Sequence, residues 1–251
     1  MRFNVSMVRV AQFLSIPLFL GFWQLISSLA IVNPLLFPPP TVVVQALYSW
    51  AVSGLLWTDL GMSLSRVLVG FVCGVTVGVA VGVVTGRFKL VANLLLPVFS
   101  LLRPIPPIAF VPLVIVWFGL SETGKYFLVF WGVFFTVWMS AHAGVQKVNP
   151  TYISAAQCLG TSERRMLWEI LIPGSMPYIL VGVRTAVTVA FYTLVAAEIS
   201  GTFSGVFYRI EISQQNLQIG HAMAGLLVLG LLSLLADRGF SVLSRRWSWS
   251  E

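Results

Sequence analysis

Long apolar runs alternate along the chain with short clusters of charged, proline and glycine residues. The runs fall at roughly 13–32, 64–86, 94–120, 126–146, 176–200 and 219–240, each near the ~20 residues a helix needs to cross a bilayer. The pattern predicts six membrane-spanning helices. Between the first two runs, "LFPPPTVVVQALYSWAVSGLLWTDL" ends one helix at its prolines and continues as a shorter amphipathic segment over 41–57. Its Trp50 and Trp57 suit an interfacial belt. The first run follows Arg2 and Arg9 without a small-residue cleavage site behind it, which predicts a retained span and not a removed signal.

Two runs carry patterns of their own. In the second, Gly70, Gly74, Gly78, Gly82 and Gly86 recur every four residues and so share one helix face. Small residues let helix backbones approach closely in lipid, and this face serves either packing within the subunit or a dimer seam or sliding surface. In the third, "LLRPIPPIAFVPLVIVWFG" sets Pro104, Pro106, Pro107 and Pro112 inside a spanning run. Proline removes backbone donors and breaks helices. Irregular backbone at membrane depth is tolerated where it is buried in protein or lines an aqueous path, so Pro104 and Pro106 are candidates for the wall of a translocation path. Arg103, just before them, either attracts an anion or snorkels to the interface. Glu198, near the end of the fifth run, carries the same two readings.

Composition supports the membrane reading. The 251 residues are 58% hydrophobic and 9% charged, whereas a soluble domain has roughly a quarter charged. One membrane domain over 1–251 is expected, all-α, with no separate soluble domain. The net charge of +7 follows from topology. With the N-terminus inside, ten basic residues (Arg2, Arg9, Arg87, Lys89, Lys147, Arg164, Arg165, Arg238, Arg245, Arg246) lie inside and two, Lys125 and Arg209, outside. That places both termini in the cytoplasm and argues for contact with anionic lipid, not nucleic acid. The remaining basic residues, Arg66, Arg103 and Arg184, sit in or at the ends of spans. Cys73, Cys158, His142 and His221 are scattered, which suggests packed or solvated side chains and no metal site.

The stretch "GLSETGKY" at 119–126 approaches the phosphate loop G-x-x-x-x-G-K-[ST] through Gly119, Gly124 and Lys125. Tyr126 replaces the metal-binding hydroxyl, and the topology puts this turn outside. A nucleotide site in this chain is therefore not expected.

The longest inside loop reads "KVNPTYISAAQCLGTSERRMLWEILIPGSMP". Asn149 can cap a helix of about 150–159 with Pro150 in its first turn, and Gly160 can end it at positive φ. Thr161 or Ser162 can cap a second helix, with Glu163 in its first turn, running until Pro173 stops it. Ala155 and Ala156 give the first helix a small surface that another protein could approach, beside Arg164 and Arg165.

This loop resembles the EAA loop of ABC importer permeases. Ala155, Ala156, Gly160, Ile172 and Pro173 match that pattern, while Ser154 stands where the family usually has glutamate. "SLSRVLVGFVCGVTVGVAVG", "LLRPIPPIAFVPLVIVWFGLSETGKYFLV", "GVRTAVTVAFYTLVAAEISG" and "LLADRGFSVLSRRW" are similar to the branch serving nitrate, sulfonate, taurine and bicarbonate importers. The stretch "TFSGVFYRIEISQQNLQ" fits it less well. The resemblance implies a type I importer permease in the bacterial inner membrane, working as a homodimer or paired with another permease. It also implies two cytoplasmic ATPase subunits that bind ATP and Mg and each receive one loop (150–173), and an extracytoplasmic substrate-binding protein. Related permeases also carry neutral heterocycles such as thiamine precursors. A passive channel would need polar rings along the pore, and an intramembrane enzyme would need paired catalytic groups. Neither stands out, and no catalytic residue is expected.

Overall fold

The computed structural model describes the backbone of residues 5–29 and 33–244 and, except for Leu243, the side chains of 14–29 and 33–244. Arg2, Arg245 and Arg246 lie outside the described residues, as does the Arg9 side chain. Among the described residues every regular element is helical. These are α1 (Val5–Ser28), α2 (Pro40–Val52), α3 (Leu55–Arg87), α4 (Lys89–Leu102), α5 (Val111–Phe118), α6 (Glu122–Lys147), α7 (Pro150–Cys158), α8 (Glu163–Arg165), α9 (Ile172–Ile199), α10 (Val206–Gln215) and α11 (Ile219–Ser244). A 3₁₀ turn (Pro107–Phe110) precedes α5, and a π turn (Met166–Leu171) joins α8 to α9. The chain divides into two compact units, one of residues 1–60 with 204–229 and one of 61–203 with 230–251.

Among the described residues four helices are long and apolar enough to cross a membrane: α3, α6, the continuous run Glu163–Ile199, and α11 over Ile219–Val242. The pair Lys89–Leu102 and Pro107–Phe118, bent by 86°, makes a fifth if counted as one broken span, and the part of α1 with described side chains, Leu14–Ser28, is apolar. The proline run at 104–107 causes that break, because successive residues there lack the donors a helix needs.

Three expectations change. The segment 41–57 is not one interfacial helix: Gly54, at φ +80°, ends α2, and Trp57 belongs to a 33-residue α3. Trp50 is buried instead of lying in a belt, because its indole N–H donates to Asp59 Oδ2 at 3.2 Å. Pro173 does not stop the loop's second helix, which runs on from Glu163 to Ile199. The π turn just before it has already widened the helix, so the proline's ring and missing N–H fall where the ladder is relaxed.

In the first unit Asp59 is the organising side chain. Buried at 1% exposure, it accepts from Trp50, from the Gly205 backbone N–H at 2.9 Å and from Arg209 Nε at 3.0 Å. It thereby caps α10 and fixes it to the α2–α3 corner. In the second unit α6 lies between α3 and α9. The glycine face of α3 meets its small β-branched face: a Cβ on Gly70, Gly74 or Gly86 would stand 2.5–2.7 Å from Val129, Val133 or Val145, and one on Gly82 would stand 2.5 Å from Ala141. On a second face of α6, Gly132 faces Thr193, Gly144 faces Ser175 and Tyr178, and Ser140 fills the space above Gly182. Both contacts bring backbones close, which is how helices gain dispersion energy without a hydrophobic drive between them.

Candidate functional site

The break between α4 and α5 opens a cavity of about 540 Å³ in the second unit. Arg103, Pro104 and Pro106 line it from the break, Trp131, Thr136 and Ser140 from α6, and Val189, Tyr192 and Thr193 from α9. The lining has no carboxylate among the described residues. Arg103 is exposed and sits with Nη1 against Met139 Sδ. Trp131 Nε1 is buried without a hydrogen-bond partner in the structure, and a buried N–H left unpaired costs about 1–3 kcal/mol. Thr136, Ser140 and Thr193 donate their hydroxyl protons to carbonyls of their own helices.

Glu198, expected on the path, lies outside this lining. It is 1% exposed and pairs with Arg66, whose Nη1 lies 3.0 Å from its Oε1, while Ser63 donates to the same oxygen at 2.6 Å. Arg66 also forks onto Glu122 at 2.8 and 2.9 Å and reaches Thr202 at 2.9 Å, and Lys125 Nζ lies 2.7 Å from Glu122. A charge this deep is held by partners, so the cluster ties α3, α6 and α9 together. The phosphate-loop look-alike is resolved by the same cluster. Gly119, at φ +64°, closes α5, Ser121 is the N-cap of α6, and Lys125 is a buried partner of Glu122 inside that helix.

The 149–173 loop has a defined shape. Asn149 caps α7 by accepting from the Thr151 N–H at 2.9 Å. At its other end Gly160, at φ +71°, donates to Gln157 O, and Thr161 donates to Ala156 O, both at 3.0 Å. These two bonds are a Schellman stop. Ser154 and Ala155 are exposed, whereas Ala156 is buried with Val83, Val145, Val148, Met166 and Leu171. Only one of the two alanines therefore offers an outward surface. Leu159 (85%) and Trp168 (66%) are largely exposed, and Glu163 is held by Arg87 at 2.7 Å.

Residues 74–249 match the profile of the binding-protein-dependent transport system inner membrane component family. The chain belongs to this family. It is 35% identical over 92% of its length to the taurine transport system permease protein of Escherichia coli, covering 86% of that protein. It is 31% identical over 90% of its length to the bicarbonate transport system permease protein of a Synechocystis strain, covering 84% of it. A solved structure of the MetNI methionine ABC transporter in an inward-facing conformation shares the fold at a TM-score of 0.61 and 18% identity, over 80% of this chain and 98% of that one.

Of the path residues expected in this permease, Arg103, Pro104 and Pro106 come together and Glu198 does not. The loop residues Ser154, Ala155, Ala156 and Gly160 form one capped unit, with Ile172 and Pro173 beyond the π turn at the start of α9. Sequence reasoning missed Trp131, Tyr192 and Asp59. The small residues Gly132, Thr136, Ser140 and Gly144, spaced by four, were the available signal that α6 has a second close-packed face beside the cavity.

Proposed function

We propose that this permease, paired with a second permease subunit, forms the translocation path of an ATP-driven importer for small oxyanions of the sulfonate or bicarbonate type. The supporting observation is the cavity at the α4–α5 break, which Arg103 lines with no carboxylate beside it among the described residues. An acceptor-only anionic group pairs with the Arg103 guanidinium, whereas a cation is repelled by it. The taurine and bicarbonate permeases it resembles fit this class, since each of those solutes carries an anionic oxygen group.

In this reading both termini are cytoplasmic, and the 149–173 loop docks into one of two ATPase subunits, which bind ATP and Mg. An external binding protein delivers the solute. The lever is the helix running from Glu163 to Ile199: displacement of the loop at one end moves Val189, Tyr192 and Thr193 in the cavity wall. ATP-driven closure of the ATPase pair then alternates access to a fixed site. The test is uptake of ethanesulfonate or bicarbonate into proteoliposomes holding the whole complex. Uptake should stop with a hydrolysis-deficient ATPase subunit and fall with Arg103→Gln while assembly and basal ATPase activity persist. Uptake that continues without hydrolysis would mark a passive channel and overturn the proposal.

A further inference from the structure

Arg184 is the third membrane-level arginine, and neither the α4–α5 cavity nor the Arg66 cluster uses it. It lies within α9, with its side chain 53% exposed, and makes a side-on pair with Asp237 of α11: Nε to Oδ1 at 3.0 Å and Nη2 to Oδ2 at 3.1 Å. Both residues belong to the second unit. This geometry leaves Nη1 unused. Thr188 and Tyr192 follow at intervals of four residues, so the guanidinium and two hydroxyls form one ridge of α9. Neither Arg184 Nη1 nor the Thr188 or Tyr192 hydroxyl makes a hydrogen bond to another described residue. The three residues and Asp237 line a cavity of about 370 Å³ that shares Val189 and Tyr192 with the larger cavity of Arg103.

We propose that Arg184, Thr188 and Tyr192 form a second anion-binding station on the path, and that Asp237 weakens that station so that the anion can leave. The inference rests on the oxyanion reading given above. Its physical basis is that conduction through successive sites requires each to bind strongly enough to admit the solute and weakly enough to release it. The Arg103 cavity has no carboxylate among its described lining residues, whereas at Arg184, itself a lining residue of the smaller cavity, the Asp237 carboxylate cancels most of the charge and leaves Nη1 outside the pair. Tyr192 borders both cavities and links them. At this depth a half-exposed arginine facing lipid would be costly, and a polar path gives it a reason to remain exposed.

The two halves of the ion pair then have opposite roles, which a purely structural bridge between α9 and α11 would not give them. The experiment uses the complete complex in nanodiscs, with Cys73→Ser and Cys158→Ser as background and Val189→Cys as reporter. The alkylation rate of the reporter by a small neutral maleimide is measured against ethanesulfonate concentration, alongside ethanesulfonate uptake kinetics. Ethanesulfonate should protect the reporter. Arg184→Gln should weaken that protection roughly tenfold, the worth of one hydrogen bond to a charged group. Asp237→Asn should tighten it by a similar factor and lower both kcat and KM of uptake. If Arg184→Gln does not assemble, Arg184→Lys should keep a weaker, still measurable protection. Equal effects of the two substitutions on protection would show a mere structural bridge and overturn the proposal. So would an unprotected reporter at 189 beside a protected one at Thr136→Cys, with the oxyanion reading left standing. Protection at neither position and no ethanesulfonate uptake would bring down the oxyanion reading itself.

Discussion

Arg66 and Glu198 meet with Nη1 and Oε1 3.0 Å apart and both side chains at 0% exposure. They stand 132 positions apart on two different helices, and neither has an opposite charge within its own helix turn to satisfy it. Glu122 from α6 accepts from two further donors of the same guanidinium while Lys125 balances its charge, so Arg66 holds three helices at one end of the bundle.

Removing one member of such a cluster strands the others. Arg66→Gln leaves Glu198 and Glu122 short of their main donor, and the expected loss is about 3–5 kcal/mol, typical of a broken buried pair. A melting curve of the purified permease should show a large drop. An unchanged curve would mean that water already reaches the cluster.

Lys125→Ala separates the phosphate-loop look-alike from the structure that contains it. The lysine is 3% exposed and paired with Glu122, so the variant should lose stability while nucleotide affinity of the assembled complex stays the same. Loss of ATP binding with assembly intact contradicts this account.

The glycines of α3 differ in what surrounds them, and alanine substitution should reveal it. A Cβ on Gly82 would lie 2.5 Å from Ala141 Cβ and 2.8 Å from the Trp138 carbonyl oxygen, while one on Gly61 meets nothing within 4 Å. Gly82→Ala should cost about 1–3 kcal/mol through overpacking. Gly61→Ala should instead stabilise by about 0.5–1 kcal/mol, because glycine is entropically poor inside a helix. Thermal denaturation of the two variants should shift in opposite directions.

Gly160 has open space around it, so a side chain there strains only the backbone. Held at φ +71° by the helix stop, Gly160→Val should cost about 1–3 kcal/mol locally and tilt α7. The variant should reach the membrane, yet recover less ATPase subunit in a pull-down or hydrolyse ATP without uptake. Gly160→Asn, which tolerates this φ better, should recover part of the coupling. Wild-type transport by the valine variant would reduce the loop to a passive connector.

Orientation is open to a direct measurement. In a background lacking Cys73 and Cys158, a cysteine at Ser162 should label only from the cytoplasm and one at Ser121 only from outside. Labelling of position 121 from the cytoplasm reverses the topology.

The sequence by itself determined what depends on local chemistry. Four of its apolar runs fall on helices long enough to cross a membrane and a fifth on the bent pair, where the proline run after Arg103 marked the break. Asn149 and Gly160 set both ends of α7 because a cap and a positive-φ stop are satisfied within a few residues. The tertiary structure alone decided which distant charges meet. Glu198 could not be distinguished from a path residue in the sequence, since a carboxylate near a helix end looks the same whether it faces water or Arg66, 132 positions away. Trp50 looked interfacial until Asp59 supplied an acceptor for its N–H. Pro173 looked like a stop until the π turn before it relaxed the ladder. Ion-pair and side-chain hydrogen-bond energies fall off within a few ångströms, and separation along a chain carries no record of separation in space.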